Sequence, residues 1–139
     1  MATATKFQPF VENLAEKAFN LGSDTLKVML TLTAPVNTNG VKADLTEIAA
    51  GNGYTAGGTA ASITTSSQTS GTYKLVLGDV TFTASGGAIA NFRYAVLYDD
   101  TATNDELILF WDYGSTVTLA TGESLTVDFS ASNGVLTIA

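Results

Sequence analysis

Residues 92 to 114 constrain this chain more than any other stretch. Phe92-Arg93-Tyr94-Ala95-Val96-Leu97-Tyr98 and Leu107-Ile108-Leu109-Phe110-Trp111-Asp112-Tyr113-Gly114 are both rich in aromatic and β-branched residues, and they flank the polar segment from Asp99 to Glu106. Two such runs around a short polar segment predict two antiparallel strands joined by a loop longer than a two-residue turn. The stretch holds two of the seven Phe, three of the five Tyr and the single Trp, so it is expected to supply much of the core.

The rest of the chain fits a mainly β domain. A length of 139 residues suits one domain with a self-sufficient core. Twenty-two Thr and thirteen Gly against two Pro favour half-solvated strands and many turns. From Phe7 to Leu21, the residues Phe7, Phe10, Val11, Leu14, Ala15, Ala18 and Phe19 recur at helical spacing. This predicts an amphipathic helix over about 7–21, with Pro9 in its first turn and Gly22 at its end. Residues 1–6 are expected to form a flexible arm, and 7–139 a single domain.

Leu26, Val28, Leu30 and Leu32 alternate with Lys27, Met29, Thr31 and Thr33, the pattern of a strand with one buried face. Residues 43–50 suggest a short helical turn, and Gly51-Asn52-Gly53 breaks it. Strands are expected at 60–65, 73–77, 80–84, 88–98, 107–114, 116–120, 124–129 and 134–138. The polar run 66–72 reads as a connection, Gly78-Asp79 as a hairpin turn, and Asn133-Gly134 as another. Short strands at close spacing behind one helix predict an antiparallel β-sandwich, jelly-roll-like, with an N-terminal amphipathic helix.

Composition narrows the chemistry. There is no Cys and no His, so thiolate zinc sites, cysteine nucleophiles and imidazole bases are all excluded. Residues 1–93 carry six acidic and six basic side chains, whereas 94–139 carry seven acidic and none basic. Such a surface repels phosphates, so neither direct nucleic-acid binding nor an anionic membrane is expected as a partner. No run is long enough to span a bilayer, and Glu12 and Glu16 interrupt the first apolar segment, so a soluble, unprocessed chain is expected.

Candidate sites are few. Asp99, Asp100, Asp105 and Glu106 put four carboxylates within eight residues, a possible oxygen-ligand set for calcium, but they lack the order of an EF-hand loop. A solvated hairpin tip is the favoured reading. Asp112 or Asp128 can be imagined paired with one of the tip acids for glycoside hydrolysis, yet strand alternation favours both as outward-facing carboxylates. The glycines at 51, 53, 57 and 58 fit turns better than a phosphate loop. Trp111 with Tyr94, Tyr98 and Tyr113 can be read as a sugar-stacking platform or, preferably, as core. Phe7, Phe10 and Phe19 can dock on a neighbouring subunit or cover one end of their own domain, the latter being favoured. No enzymatic activity, cofactor or metal is expected. Residues proposed for a subunit interface are Lys6, Phe7, Phe10, Asp99, Asp100, Asp105 and Glu106.

In their order, five motifs resemble small virion proteins of tailed bacteriophages. They are Phe10-Val11-Glu12-Asn13-Leu14, Asp24-Thr25-Leu26-Lys27-Val28-Met29-Leu30, the run Leu45 to Gly58, Tyr94-Ala95-Val96-Leu97-Tyr98, and Trp111-Asp112-Tyr113-Gly114. The resemblance spans nearly the whole chain, and its motifs are structural, with no catalytic signature. It implies a capsid decoration or cement protein, made in the bacterial cytoplasm and seated on the capsid surface of the virion. Its implied partners are the major capsid protein, copies of itself, or both, with a homo-oligomer on the particle. The alternatives are a tail, neck or fibre-associated protein, or a carbohydrate-binding adhesin module.

Overall fold

The central hairpin organises the chain, as its sequence predicts. In the computed structural model, which describes residues 3–139, β7 (Ile89–Asp99) and β8 (Leu107–Leu119) pair antiparallel, with Val96 opposite Phe110 and Leu97 opposite Leu109. On the far side of β7 lies β2 (Leu26–Thr31), and beyond it β3 (Thr59–Ala61). On the far side of β8 lies β1 (Thr3–Lys6), giving a five-stranded sheet in the order β1-β8-β7-β2-β3. A three-stranded sheet, β10-β5-β4, uses β4 (Ile63–Thr69), β5 (Thr72–Leu77) and β10 (Leu136–Ile138). A two-stranded ribbon pairs β6 (Val80–Thr83) with β9 (Ser124–Val127). Among the described residues the fold is mainly β, all of its ladders are antiparallel, and it has one short α-helix, α1 (Pro9–Ala15).

Alternation along the strands builds two cores. One contains Leu26, Val28 and Leu30 of β2, Phe92, Ala95 and Leu97 of β7, Leu75 and Leu77 of β5, Phe82 of β6 and Val127 of β9. This is the filling of a β-sandwich, with the five-stranded sheet against the two smaller ones. The opposite face of the five-stranded sheet presents Met29, Tyr94, Val96, Tyr98, Leu107 and Phe110, with Phe7. That face is also buried, because the long connection between β2 and β3 folds over it and packs Leu45 against it. The one-sided strand expected at 25–33 is therefore two-sided: Met29 and Thr31 are fully buried and Leu32 is exposed.

Polar bonds fasten this cover. The Tyr54 hydroxyl donates to Glu47 Oε1 (2.6 Å) and accepts from Leu30 N–H (3.1 Å). Tyr98 donates to the Gly57 carbonyl (2.6 Å). Gly58 sits at φ +81° against Val28, where a Cβ would collide with the Val28 carbonyl, so glycine is required. The expected helical turn at 43–50 shortens to one 3₁₀ turn, Lys42–Asp44, whose Asp44 carboxylate accepts the Gly40 and Val41 N–H groups.

Several boundaries differ from the sequence expectations for identifiable reasons. The helix stops at Ala15, not near Leu21, because Lys17 enters the left-handed region (φ 69°). The Ala18 N–H then bonds the Asn13 carbonyl and the Lys17 N–H that of Leu14, a Schellman closure without its usual glycine. Residues 3–6, expected within a flexible arm, form an edge strand on β8; residues 1 and 2 lie outside the described residues. The polar run 66–72 is largely β4 and its turn, with Ser70 and Gly71 both at positive φ as a type I′ turn needs.

Neither predicted hairpin turn at 78–79 nor at 133–134 joins paired strands: β5 pairs with β4 and β10, and β6 pairs with β9. Residues 107–114 and 116–120 form one strand. The partner of β7 advances from Val117 to Asp112 while β7 advances only from Phe92 to Tyr94, so β8 bulges near Gly114, at φ 84°.

Candidate functional site

The region the sequence singles out, the loop between β7 and β8, is not a freely solvated tip. Asp99 is fully buried and Glu106 is 9% exposed. Their backbones bond, Asp99 N–H to the Glu106 carbonyl at 3.0 Å, and close the loop at its root. Asp99 Oδ1 accepts the N–H groups of Thr101 (2.9 Å) and Ala102 (3.1 Å), turning the chain back on itself. Glu106 performs the same service on the returning side, accepting from Asn104 N–H (3.1 Å) and Asn104 Nδ2 (3.3 Å). These two carboxylates hold the loop together and do not face outward, which corrects the expectation for both.

Asp100 and Asp105 are the outer members of the cluster. The Asp100 N–H bonds the Thr25 carbonyl (2.8 Å) and its carboxylate pairs with Lys27 Nζ at 3.0 Å. Asp105 takes a left-handed turn (φ 55°), and its carbonyl accepts the Lys42 N–H (3.0 Å). An isolated bridge between Val41 and Glu106 continues this contact, so the loop is stitched to the β2–β3 connection on one side and to the entry of β2 on the other. Among the described residues, no three His, Cys, Asp or Glu side chains are placed to hold a metal ion.

The other interface candidates separate by burial. Lys6 is exposed on the edge strand β1. Phe7 is fully buried against Phe110, with ring centroids 5.0 Å apart, and Phe10 is 4% exposed against Phe19 at 5.1 Å. Both Phe residues are spent on the chain's own core, which corrects their assignment to an intermolecular surface. The seven residues therefore do not form one patch: Lys6, Asp100 and Asp105 reach the surface, and the other four are internal.

The aromatic platform is also divided. Tyr94 and Tyr98 belong to the core under the β2–β3 connection, whereas Trp111 and Tyr113 pack toward the sandwich core, Trp111 edge-on to Phe129 at 5.4 Å. Alternation places them on opposite faces of one sheet. Asp112 is clamped by Arg93, Nε to Oδ1 at 2.7 Å and Nη2 to Oδ2 at 2.9 Å, and it also accepts the Gly114 N–H at 2.7 Å. Arg93 above all, then the Gly114 N–H, holds its carboxyl below the usual carboxylate range. A carboxylate kept ionised in this way is poorly suited to act as a general acid. Asp128 is exposed.

One polar group stands apart. Asp99 Oδ2 is buried and has no hydrogen-bond partner among the described donors. Burial, then the neighbouring Asp24 carboxyl, pushes the Asp99 acid up to about 7. Sequence spacing does not reveal this pair, since 75 positions separate the two aspartates and only the β2–β7 ladder, with Leu26 opposite Asp99, brings them together.

No family model matches the chain, and no curated protein or solved structure matches it. Among the described residues, no helix is long and apolar enough to cross a membrane.

Proposed function

We propose that the chain is a structural component of a tailed-bacteriophage particle, a capsid decoration or cement protein that binds the outer shell and braces neighbouring major capsid subunits. One observation carries the reading: four of the five sequence motifs that resemble phage virion proteins, scattered over ninety positions, converge on one scaffold. The 24–30 motif supplies β2, 94–98 lies in β7, and 111–114 lies in β8, three adjacent strands of one sheet. The 45–58 motif covers that sheet, tied to it by Tyr54 on Leu30 and by Tyr98 on Gly57. Motifs that specify a scaffold and leave no catalytic constellation suit a protein whose work is to occupy and reinforce a surface.

Charge supports the same reading. Three of the six cations are tied in ion pairs, Lys27 to Asp100, Lys42 to Glu47 and Arg93 to Asp112. With a net charge of −7, the exterior does not attract packaged nucleic acid. Binding to the assembled shell and not to its separated subunits would stabilise the shell by linkage, about 2.7 kcal/mol per site at a hundredfold excess over Kd.

Mass spectrometry of gradient-purified particles, followed by cryo-electron microscopy, tests the reading. Regular copies on the head exterior are expected. Absence from purified heads, or a position confined to tail or neck, overturns it.

A further inference from the structure

Where the entry to β2 meets the hairpin loop, two carboxyl groups lie against each other with no cation between them. Asp24 immediately precedes Thr25, whose N–H bonds Thr101 Oγ1 (2.8 Å) and whose carbonyl accepts the Asp100 N–H (2.8 Å). These two bonds bring the Asp24 carboxyl within hydrogen-bond reach of Asp99. Asp24 Oδ2 already accepts the Asn20 N–H at 2.7 Å, and Asp99 Oδ1 already accepts two backbone N–H groups. Asp99 Oδ2 remains, buried and without a donor.

A buried carboxylate oxygen facing a second carboxylate is strongly unfavourable unless a positive charge or a proton lies between them. The charged groups around the pair are Lys17 and Glu106, which line the same surface depression as Asp24, and Lys27, Asp100 and Asp105 on the adjoining strand and loop. Lys27 is engaged by Asp100, and no Lys or Arg among the described residues forms an ion pair with Asp24 or Asp99. Among the described residues, no third acidic ligand is placed to complete a metal site.

We propose that Asp24 and Asp99 share one proton, Asp99 Oδ2–H donating to the Asp24 carboxylate, and that this bond is a pH-controlled clasp fastening the 99–106 loop to the start of β2. When the proton leaves to bulk water, two carboxylates face each other across the junction. The contacts of Asp100 and Thr101 with Thr25 then loosen, and the clasp opens. An acidic surface loop thereby becomes more mobile as the medium turns from mildly acidic to alkaline.

Asparagine mimics the protonated acid, because its amide donates where the shared proton does. The test is urea unfolding of the full chain at half-unit steps from pH 5 to pH 8, for wild type, Asp99→Asn and Asp24→Asn. The wild-type unfolding constant should rise with pH, by at most about tenfold per unit for a single proton. Asp99→Asn should lose this component of the slope and Asp24→Asn should lessen it, since burial still acts on Asp99 there; either one serves if the other folds poorly. Hydrogen exchange at pH 8 provides a readout beyond stability: the Asp100, Thr101 and Ala102 amides should exchange faster in wild type than in Asp99→Asn. The proposal is overturned if both variants keep the wild-type slope. It is equally overturned if calcium raises the wild-type midpoint at pH 8 and Asp99→Asn abolishes that rise, since the buried oxygen would then belong to a cation site.

Discussion

The hairpin that organises this protein carries an aspartate near each end of its paired region, and the two live under opposite rules. At the loop end, Asp99 is fully buried, has a second carboxyl for a neighbour and is driven toward its neutral form. At the bulged end, Asp112 is half-exposed, gripped by both arms of the Arg93 guanidinium and held ionised. Both follow an aromatic residue at the edge of an apolar run, and although Asp99 has acidic neighbours and Asp112 has none, neither context reveals which one is buried. What differs is the third dimension: β2 delivers Asp24 to the first, and the register shift between Phe92 and Tyr94 delivers Arg93 to the second. A carboxylate's role on a β-hairpin is set by the strand that arrives next to it.

Substitutions at the two ends should separate these environments, and the largest effect belongs to the buried one. Asp99→Ala strips the acceptor from the Thr101 and Ala102 N–H groups and leaves a void. It should cost about 2–4 kcal/mol of unfolding free energy by urea titration, well beyond what Asp99→Asn costs. One residue earlier, Tyr98→Phe removes only the 2.6 Å bond to the Gly57 carbonyl, and about 1 kcal/mol should be lost. A loss as large as that of Asp99→Ala would mean that the cover over this face, and not the loop root, holds the hairpin.

Asp112→Asn should have the smallest effect at neutral pH, because the Arg93 pair is solvent-exposed and worth little. High salt should shrink the effect further.

The pH dependences should differ in sign. The Asp99 acid is raised on folding, so the native state holds its proton where the unfolded chain has lost it. Its contribution is complete below the ordinary carboxylate range and declines as pH climbs toward about 7. The Asp112 acid is lowered on folding, so its contribution is present above the ordinary range and disappears as pH falls through its depressed value. Stability profiles of Asp99→Asn and Asp112→Asn should accordingly flatten on opposite sides, the first toward neutrality and the second in acid. Flattening on the same side would erase the distinction between the two ends.

The sequence is informative where structure is local. The 92–114 hairpin, the existence of β2 and most strand positions are legible because aromatic and β-branched runs need only their own residues to declare themselves. Pairing between distant strands is not. Gly78-Asp79 and Asn133-Gly134 have the composition of hairpin turns, but the strands they join find partners elsewhere. The outer part of β4, 66–69, escapes notice because an edge strand with hydroxyl side chains has no apolar alternation to display. Phe7 and Phe10 have the same helical spacing whether a helix covers its own domain or another. The buried state of Asp99 is invisible for the same reason: a loop with four acids reads as solvated unless its root is known to lie against β2. The chemistry of this region is a property of topology.

One measurement addresses both ends together. The side-chain carboxyl ¹³C resonances of Asp99 and Asp112, followed through a single pH titration of the intact protein, report each proton where it binds. Asp99 should titrate near neutrality and Asp112 below the ordinary aspartate value of about 4. Coincident titration of the two at that ordinary value would contradict the account.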